Sequence, residues 1–146
     1  MKAITLFDPW ATLVVLGQKQ FETRSWPTNH RGLLAIHVSK TSGFDELATV
    51  EPFLSVFKGM AHWHAPGCII GTVEVMDCWQ VPGRTIPSSF AGQPISVKER
   101  AFGDFSPGRY AWMLKNPRRL ATPIPCRGRQ GLWNVPPEIE ALLNKE

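Results

Sequence analysis

Asp8-Pro9-Trp10-Ala11-Thr12-Leu13-Val14-Val15-Leu16-Gly17-Gln18-Lys19-Gln20-Phe21-Glu22-Thr23-Arg24 contains a change of period. From Trp10 to Leu16 the residues are apolar nearly all round, the pattern of a short helix buried on every side. Asp8 can cap its free N–H groups, and Pro9 fits the first position, where a missing N–H costs nothing. Gly17 is the expected C-terminal stop. From Gln20 to Trp26 the period drops to two, with Phe21 and Thr23 pointing one way and Glu22, Arg24 and Trp26 the other.

Outward from this stretch the chain reads mostly as strands. Lys2 to Phe7 is a first strand with Ile4 and Leu6 on one face. Gly32 to Lys40 alternates most clearly, with Leu34, Ile36 and Val38 expected inward and Ala35, His37 and Ser39 outward. Phe44 to Phe57 reads as a helix with Phe44, Leu47, Ala48 and Leu54 as its stripe and Pro52 as a potential break. Gly67 to Val81 is a long strand pattern. Pro82 to Gly108, rich in Pro, Gly and Ser, reads as an irregular excursion. Arg109 to Leu114 and Leu120 to Ile124 are two further strands, Gly131 to Val135 closes the set, and Pro137 to Leu143 is a last helix. Thirteen Pro and twelve Gly fit many turns between short strands. The expected class is α+β, mostly β: a partly open β-barrel flanked by two or three helices. With 146 residues and no repeat or linker, residues 1–146 are expected to form one domain.

Composition narrows the function classes. The 43% hydrophobic and 19% charged content is that of a globular protein without a low-complexity signature. A net charge of +4 permits a nucleic-acid partner without requiring one. From Lys98 to Gln130 the basic residues Lys98, Arg100, Arg109, Lys115, Arg118, Arg119, Arg127 and Arg129 face only Glu99 and Asp104, a run that suits an anion-attracting face or a solvated surface. Cys68, Cys78 and Cys126 make no disulfide framework, being odd in number and widely spaced. Lys2 is followed by too short an apolar run for a signal peptide, and no stretch approaches the ~20 apolar residues of a membrane span, so the cytosol is the expected address.

Lys19, Glu22 and Arg24 carry the chemistry of the opening stretch. Lys19 falls where the helix's last carbonyls gather partial negative charge. Glu22 and Arg24, two apart on a strand, share a face beside Trp26. One reading is an outer-face charge pair with a dipole-neutralising Lys; the other is a binding hollow. Pro9-Trp10-Ala11-Thr12-Leu13-Val14, then Gly17, Lys19, Glu22 and Arg24, then Ser25-Trp26, Thr28 and Arg31-Gly32 resemble the ASCH domain family, whose hallmark is Gly-x-Lys-x-x-Glu-x-Arg after a first helix. The Pro-Trp-Ala start and the Arg-Ser-Trp are similar to the subgroup that includes the C-terminal domain of the activating signal cointegrator. Gly108-Arg109-Tyr110-Ala111-Trp112 and Gly128-Arg129-Gln130-Gly131-Leu132-Trp133 resemble C-terminal strands of bacterial and phage members.

The resemblance implies a PUA-like barrel with a cleft between the first helix and neighbouring strands, receiving RNA, another nucleic acid or a nucleotide-like ligand. Carried onto this chain, the cleft would hold Lys19, Glu22 and Arg24, with Ser25, Thr28 and Arg31 following and Trp10 as floor or core; Arg109, Arg127 and Arg129 would add phosphate contacts. A Lys meets phosphate as a point charge, whereas Arg reads a base edge bidentately. On these grounds Lys19→Ala and Arg24→Ala should weaken RNA binding while leaving stability nearly unchanged. The rival implied by the family is a small hydrolase, a modified-cytidine amidohydrolase or ribonuclease, with Lys19 and Glu22 as catalytic pair. The amidohydrolase pattern wants Thr three residues after the Lys; here that residue is Glu22, and Thr23 should face the other way. A small-ligand or protein-interaction module using the same cleft is a third reading. No cofactor is called for. His62-x-His64 with Cys68 lacks a fourth zinc ligand, and no metal site is expected. His37 either lines the cleft or sits at a polar surface, and Trp79, Trp112 and Trp133 are stacking platforms or core.

Overall fold

The computed structural model describes residues 1–41, 44–58, 64–83, 87–90 and 92–145. In chain order the elements are β1 (Lys2–Leu6), α1 (Trp10–Val15), β2 (Phe21–Arg24), β3 (Gly32–Val38), α2 (Phe44–Leu47), α3 (Phe53–Phe57), β4 (Cys68–Gln80), β5 (Ser89–Phe90), β6 (Gln93–Pro94), α4 (Val97–Phe102), β7 (Tyr110–Pro125), β8 (Leu132–Asn134) and α5 (Pro137–Leu143). Six strands make one sheet in the order β2-β7-β4-β3-β1-β8, while β5 and β6 form a separate hairpin. Only β1 and β3 run parallel; the other neighbours are antiparallel. The sheet curls into a half-barrel whose edges, β2 and β8, do not pair with each other. This is the mostly-β, partly open barrel expected, with five short helices among the described residues.

α1 fills the curl. Ala11, Val14 and Val15 pack with Ile4, Leu34, Ile36, Val73 and Trp112 from four strands in one core cluster. A helix apolar on every side fits only there, because every side meets protein. Asp8 accepts from the Thr12 N–H at 2.9 Å and from its hydroxyl at 2.7 Å, which anchors the first turn. At the other end Gly17 takes φ 75°, a conformation that a side chain resists, and the chain turns straight into β2.

Four expectations are corrected. The second face of β3 is not a solvent face: Ala35 joins Trp133, Val135 and Leu143 in a second cluster under β8 and α5, and His37 is only 3% exposed. Residues 44–57 form two helices, because the break at Pro52 resets the phase; Phe53 and Phe57 are buried and Leu54 is exposed. The stretch after Pro82 holds the β5–β6 hairpin and α4, begun by the Ser96 side chain accepting from the Glu99 N–H. The strands expected at 109–114 and 120–124 are one strand, β7, whose register against β4 slips near Asn116. Pro117 is tolerated there because β2 pairs only with Tyr110–Met113, which leaves one side of β7 open. Trp112 and Trp133 are core, and Trp79 stacks on Phe90 at 5.3 Å. No helix among the described residues is long and apolar enough to cross a membrane.

Candidate functional site

The tight turn after α1 delivers Lys19 beneath β2. The N–H groups of Gln18 and Lys19 both donate to the Leu13 carbonyl, at 3.0 and 3.1 Å. The Lys19 ammonium then donates to the Phe21 carbonyl and lies 3.4 Å from Glu22 Oε1. Its partners are therefore strand groups rather than the end of α1. Glu22 Oε2 accepts from Arg24 Nε at 2.9 Å, and Arg24 Nη2 reaches the Thr5 carbonyl at 3.4 Å. Side-chain exposure climbs along this relay from 2% at Lys19 to 12% at Glu22 and 28% at Arg24. The series runs cation, carboxylate, cation from the interior to the mouth of a cleft of about 420 Å³.

The end of β1, Trp10, the segment after α4 and Arg109 complete the wall. Trp10 Nε1 donates to the Phe102 carbonyl at 2.7 Å, tying α1 to that segment, and its ring meets Phe53 edge-on at 5.6 Å. Phe7, 57% exposed, stands at the rim. Arg109 donates to the Thr23 carbonyl at 3.0 Å and pairs with Asp104 at 3.4 Å. Hydrogen bonds from Ser106, with Arg109 adding its charge, hold the Asp104 carboxyl below its ordinary range. Lys19, Arg24 and Arg109 thus stand against Glu22 and Asp104. Thr23 borders the cleft, but its Oγ1 accepts from the Asp104 N–H at 3.2 Å, while Phe21 points into an aromatic cluster with Phe105.

Behind β2 lies a second carboxylate that the opening motif does not contain. Glu99 of α4 is buried, and its Oε1 accepts from the N–H groups of Gln20 and Phe21, the latter at 3.0 Å. Burial pushes its carboxyl up, against the opposing pull of Lys19, those two N–H groups and Lys98. Ser96-Val97-Lys98-Glu99 reads as a capping box, the signal that would have found α4. The reach of Glu99 across to β2 has no local signal.

Trp10, Lys19, Glu22, Arg24 and Arg109 are brought together; other expected residues are not. Ser25 is exposed outside the wall. Thr28 Oγ1 accepts from the His30 N–H at 3.0 Å, and Arg31 donates to the Thr28 carbonyl at 3.0 Å and pairs with Asp77 at 3.3 Å, so these residues build a turn. The basic run does not form one face. Arg127 and Arg129 line another cleft with Lys40 and His37, Lys115 donates to Gln93 at 2.9 Å, and Arg119 borders a third hollow with His64. His64 Nδ1 lies 2.6 Å from Asp8, and His62 lies outside the described residues. Among the described residues no three His, Cys, Asp or Glu side chains are grouped to hold a metal ion.

The sequence model of the ASCH domain matches residues 4–124. Activating signal cointegrator 1 of mouse and that of human are each 26% identical over 141 residues, 93% of this chain. The chain spans only 22% of the length of these relatives. The solved ASCH protein of Zymomonas mobilis matches with a TM-score of 0.59 at 16% identity, covering 99% of this chain and 93% of that one. A single-residue variant of it matches with the same TM-score and covers 96% of its own chain. At that identity the likeness speaks for the fold alone.

Proposed function

The chain belongs to the ASCH domain family and has its PUA-like fold, and from that premise we propose that it binds RNA, taking an unpaired nucleotide into the Lys19–Glu22–Arg24 cleft. The observation that carries this reading is the graded relay of charge. Lys19 and Glu22 are too enclosed to serve as general surface charges, and together they hold the Arg24 guanidinium at the mouth. Arg24 and Arg109 then offer donors to a phosphate, while Glu22 can accept from a base amino group. Phe7 and Trp10 supply ring faces at the rim. A hollow of about 420 Å³ suits one splayed nucleotide rather than a paired duplex, which matches how proteins read RNA outside its helices. The family's association with RNA binding supports RNA over DNA.

The hydrolase reading needs Lys19 or Glu22 free to move a proton. Both are committed, Lys19 to Phe21 and Glu22, and Glu22 to Arg24, which favours binding. Anisotropy titration of labelled single-stranded RNA, with DNA of the same sequence alongside, tests the proposal. Arg24→Ala should weaken RNA binding by roughly 10- to 100-fold, the worth of one good Arg contact, with little change in Tm. RNA or acylated cytidine consumed by the wild type but not by Glu22→Gln would replace binding with hydrolysis.

A further inference from the structure

The second cleft, about 380 Å³, lies between the end of β3 and the loop after β7. Its charged walls are Lys40, Arg127 and Arg129, and no Asp or Glu among the described residues lines it. Among the described residues the side chains of these three cations make no hydrogen bond or ion pair. Unpaired surface cations are ordinarily just solvated. The floor beneath these pins the backbone that carries them.

Trp133 Nε1 donates to Thr5 Oγ1 at 3.1 Å, and the Thr5 hydroxyl lies 3.1 Å from His37 Nδ1. His37 Nε2 lies 2.6 Å from the Cys126 carbonyl. With Thr5 donating to Nδ1 and Nε2–H donating to Cys126, a neutral imidazole completes every bond in the series. Burial holds the His37 pKa below its ordinary value, in keeping with that neutral form. The Cys126 N–H donates to the Gly67 carbonyl at 3.0 Å, so the loop is pinned from both sides. Gly128 then lies flat on the floor, where a Cβ would come within 2.5 Å of His37 Cε1 and 2.8 Å of Thr5 Oγ1. Arg127 and Arg129 flank that pinned glycine. The Lys40 stem lies over Gly67, its Cε 3.2 Å from where a Cβ would stand. All three cations thus hang on one neutral, fully bonded platform.

Thr5 joins the two clefts. It lines both, its carbonyl facing Arg24 in the first and its hydroxyl facing His37 in the second. We propose that the Lys40–Arg127–Arg129 cleft is a second anion subsite, taking the phosphodiester backbone of a single strand whose neighbouring nucleotide occupies the first cleft. The proposal rests on the RNA-binding reading above and deepens it. The mixed-sign first cleft selects the nucleotide, and the basic second cleft adds affinity that is indifferent to base.

RNA ligands of one and eight nucleotides, titrated at several salt concentrations, separate the two clefts. Each phosphate neutralised on a single strand contributes about −0.7 to the slope of log K against log salt, so Lys40→Gln/Arg127→Gln/Arg129→Gln should lose about 2 units of slope on the eight-mer. Its eight-mer affinity should fall at least tenfold while its mononucleotide affinity holds, whereas Arg24→Ala should weaken both lengths. An unchanged eight-mer slope, or equal losses on both lengths, overturns the second subsite and leaves the first-cleft reading standing. Loss in the triple variant alone, with Arg24→Ala silent, overturns the first-cleft reading instead. A duplex that competes as well as the single strand overturns the single-strand assignment. Independently of any RNA, inorganic pyrophosphate should shift the Gly128 and His37 NMR signals saturably in the wild type and not in the triple variant; no shift in the wild type overturns the subsite.

Discussion

In the first cleft the charges are paired and largely buried before any ligand arrives, as Lys19, Glu22 and Arg24 neutralise one another along β2. In the second, Lys40, Arg127 and Arg129 stand exposed on a floor of neutral hydrogen bonds among Trp133, Thr5, His37 and Cys126. Both are positive hollows and they share Thr5, but charge belongs to the fold in one and is hung upon it in the other. Buried ion pairs are costly to break because the surviving partner is stranded, whereas exposed charges can be removed with little penalty. Substitutions at Lys19 or Glu22 therefore mix stability with binding, whereas those at Arg24 or in the second cleft report mainly binding.

The largest expected effect comes from breaking the first relay at its buried end. Lys19→Met keeps the aliphatic stem but removes the ammonium, leaving Glu22 with Arg24 alone and the Phe21 carbonyl without its donor. Breaking a buried pair this way costs about 3–5 kcal/mol, which for a chain of this size lowers Tm by roughly 6–20 °C. This revises the expectation from sequence that Lys19 could be changed at no cost to stability. Arg127→Gln/Arg129→Gln should melt within roughly 4 °C of the wild type, since surface changes away from such networks stay near ~0.5 kcal/mol each. Lys19→Met melting with the wild type in calorimetry would erase the distinction between the clefts.

A smaller effect probes the neutral platform. Burial, helped by the charge of Lys40, lowers the His37 pKa from 6.5, against the Cys126 and Gly67 carbonyls that raise it. The unfolded chain then binds this proton more readily than the folded one. The stability His37 contributes is present above pH 6.5 and is lost as pH falls through its lower folded pKa. Urea denaturation at pH 7.5 and pH 5 should show the wild type losing stability on acidification, and His37→Gln losing less. An NMR titration placing His37 at or above 6.5 would contradict a neutral floor.

How much of this was legible in the sequence follows from the range of each interaction. α1, β2 and α5 were readable because their signals lie within a few residues: apolar runs, period-two alternation, and Pro and Gly at the ends. The convergence of Lys19, Glu22 and Arg24 was likewise written into one turn and one strand face. The second face of β3 was not, since period two shows that two faces exist but not that β8 and α5 return to cover the second. Ser25, Thr28 and Arg31 sit close in sequence to the motif, yet the chain turns away from the cleft after Arg24. Nothing local in the sequence makes Lys40 a partner of Arg127 and Arg129, because some 90 residues separate them and only the β3–β4–β7 pairing closes that distance.

Glu99 gives the smallest and most discriminating effect, because it places a second carboxylate against the same Lys19 from behind. Its Oε1 takes the N–H groups of Gln20 and Phe21, but its buried Oε2 has no hydrogen-bond partner among the described residues. Desolvation dominates, so the folded pKa lies above the ordinary 4.5 despite Lys19 and Lys98. The folded state then holds this proton more tightly than the unfolded one, and stability falls as pH rises from 4.5 through the folded pKa. Glu99→Gln keeps an acceptor for both N–H groups and removes the titration. Relative to the wild type it should therefore gain stability between acid and neutral pH, by on the order of 1 kcal/mol, the scale of one reweighted hydrogen bond. Chemical denaturation at pH 4 and pH 7 reads the difference directly. A variant that instead loses stability at neutral pH would mean that Lys19 needs both carboxylates, and the ion network of the first cleft would then extend through β2 into α4.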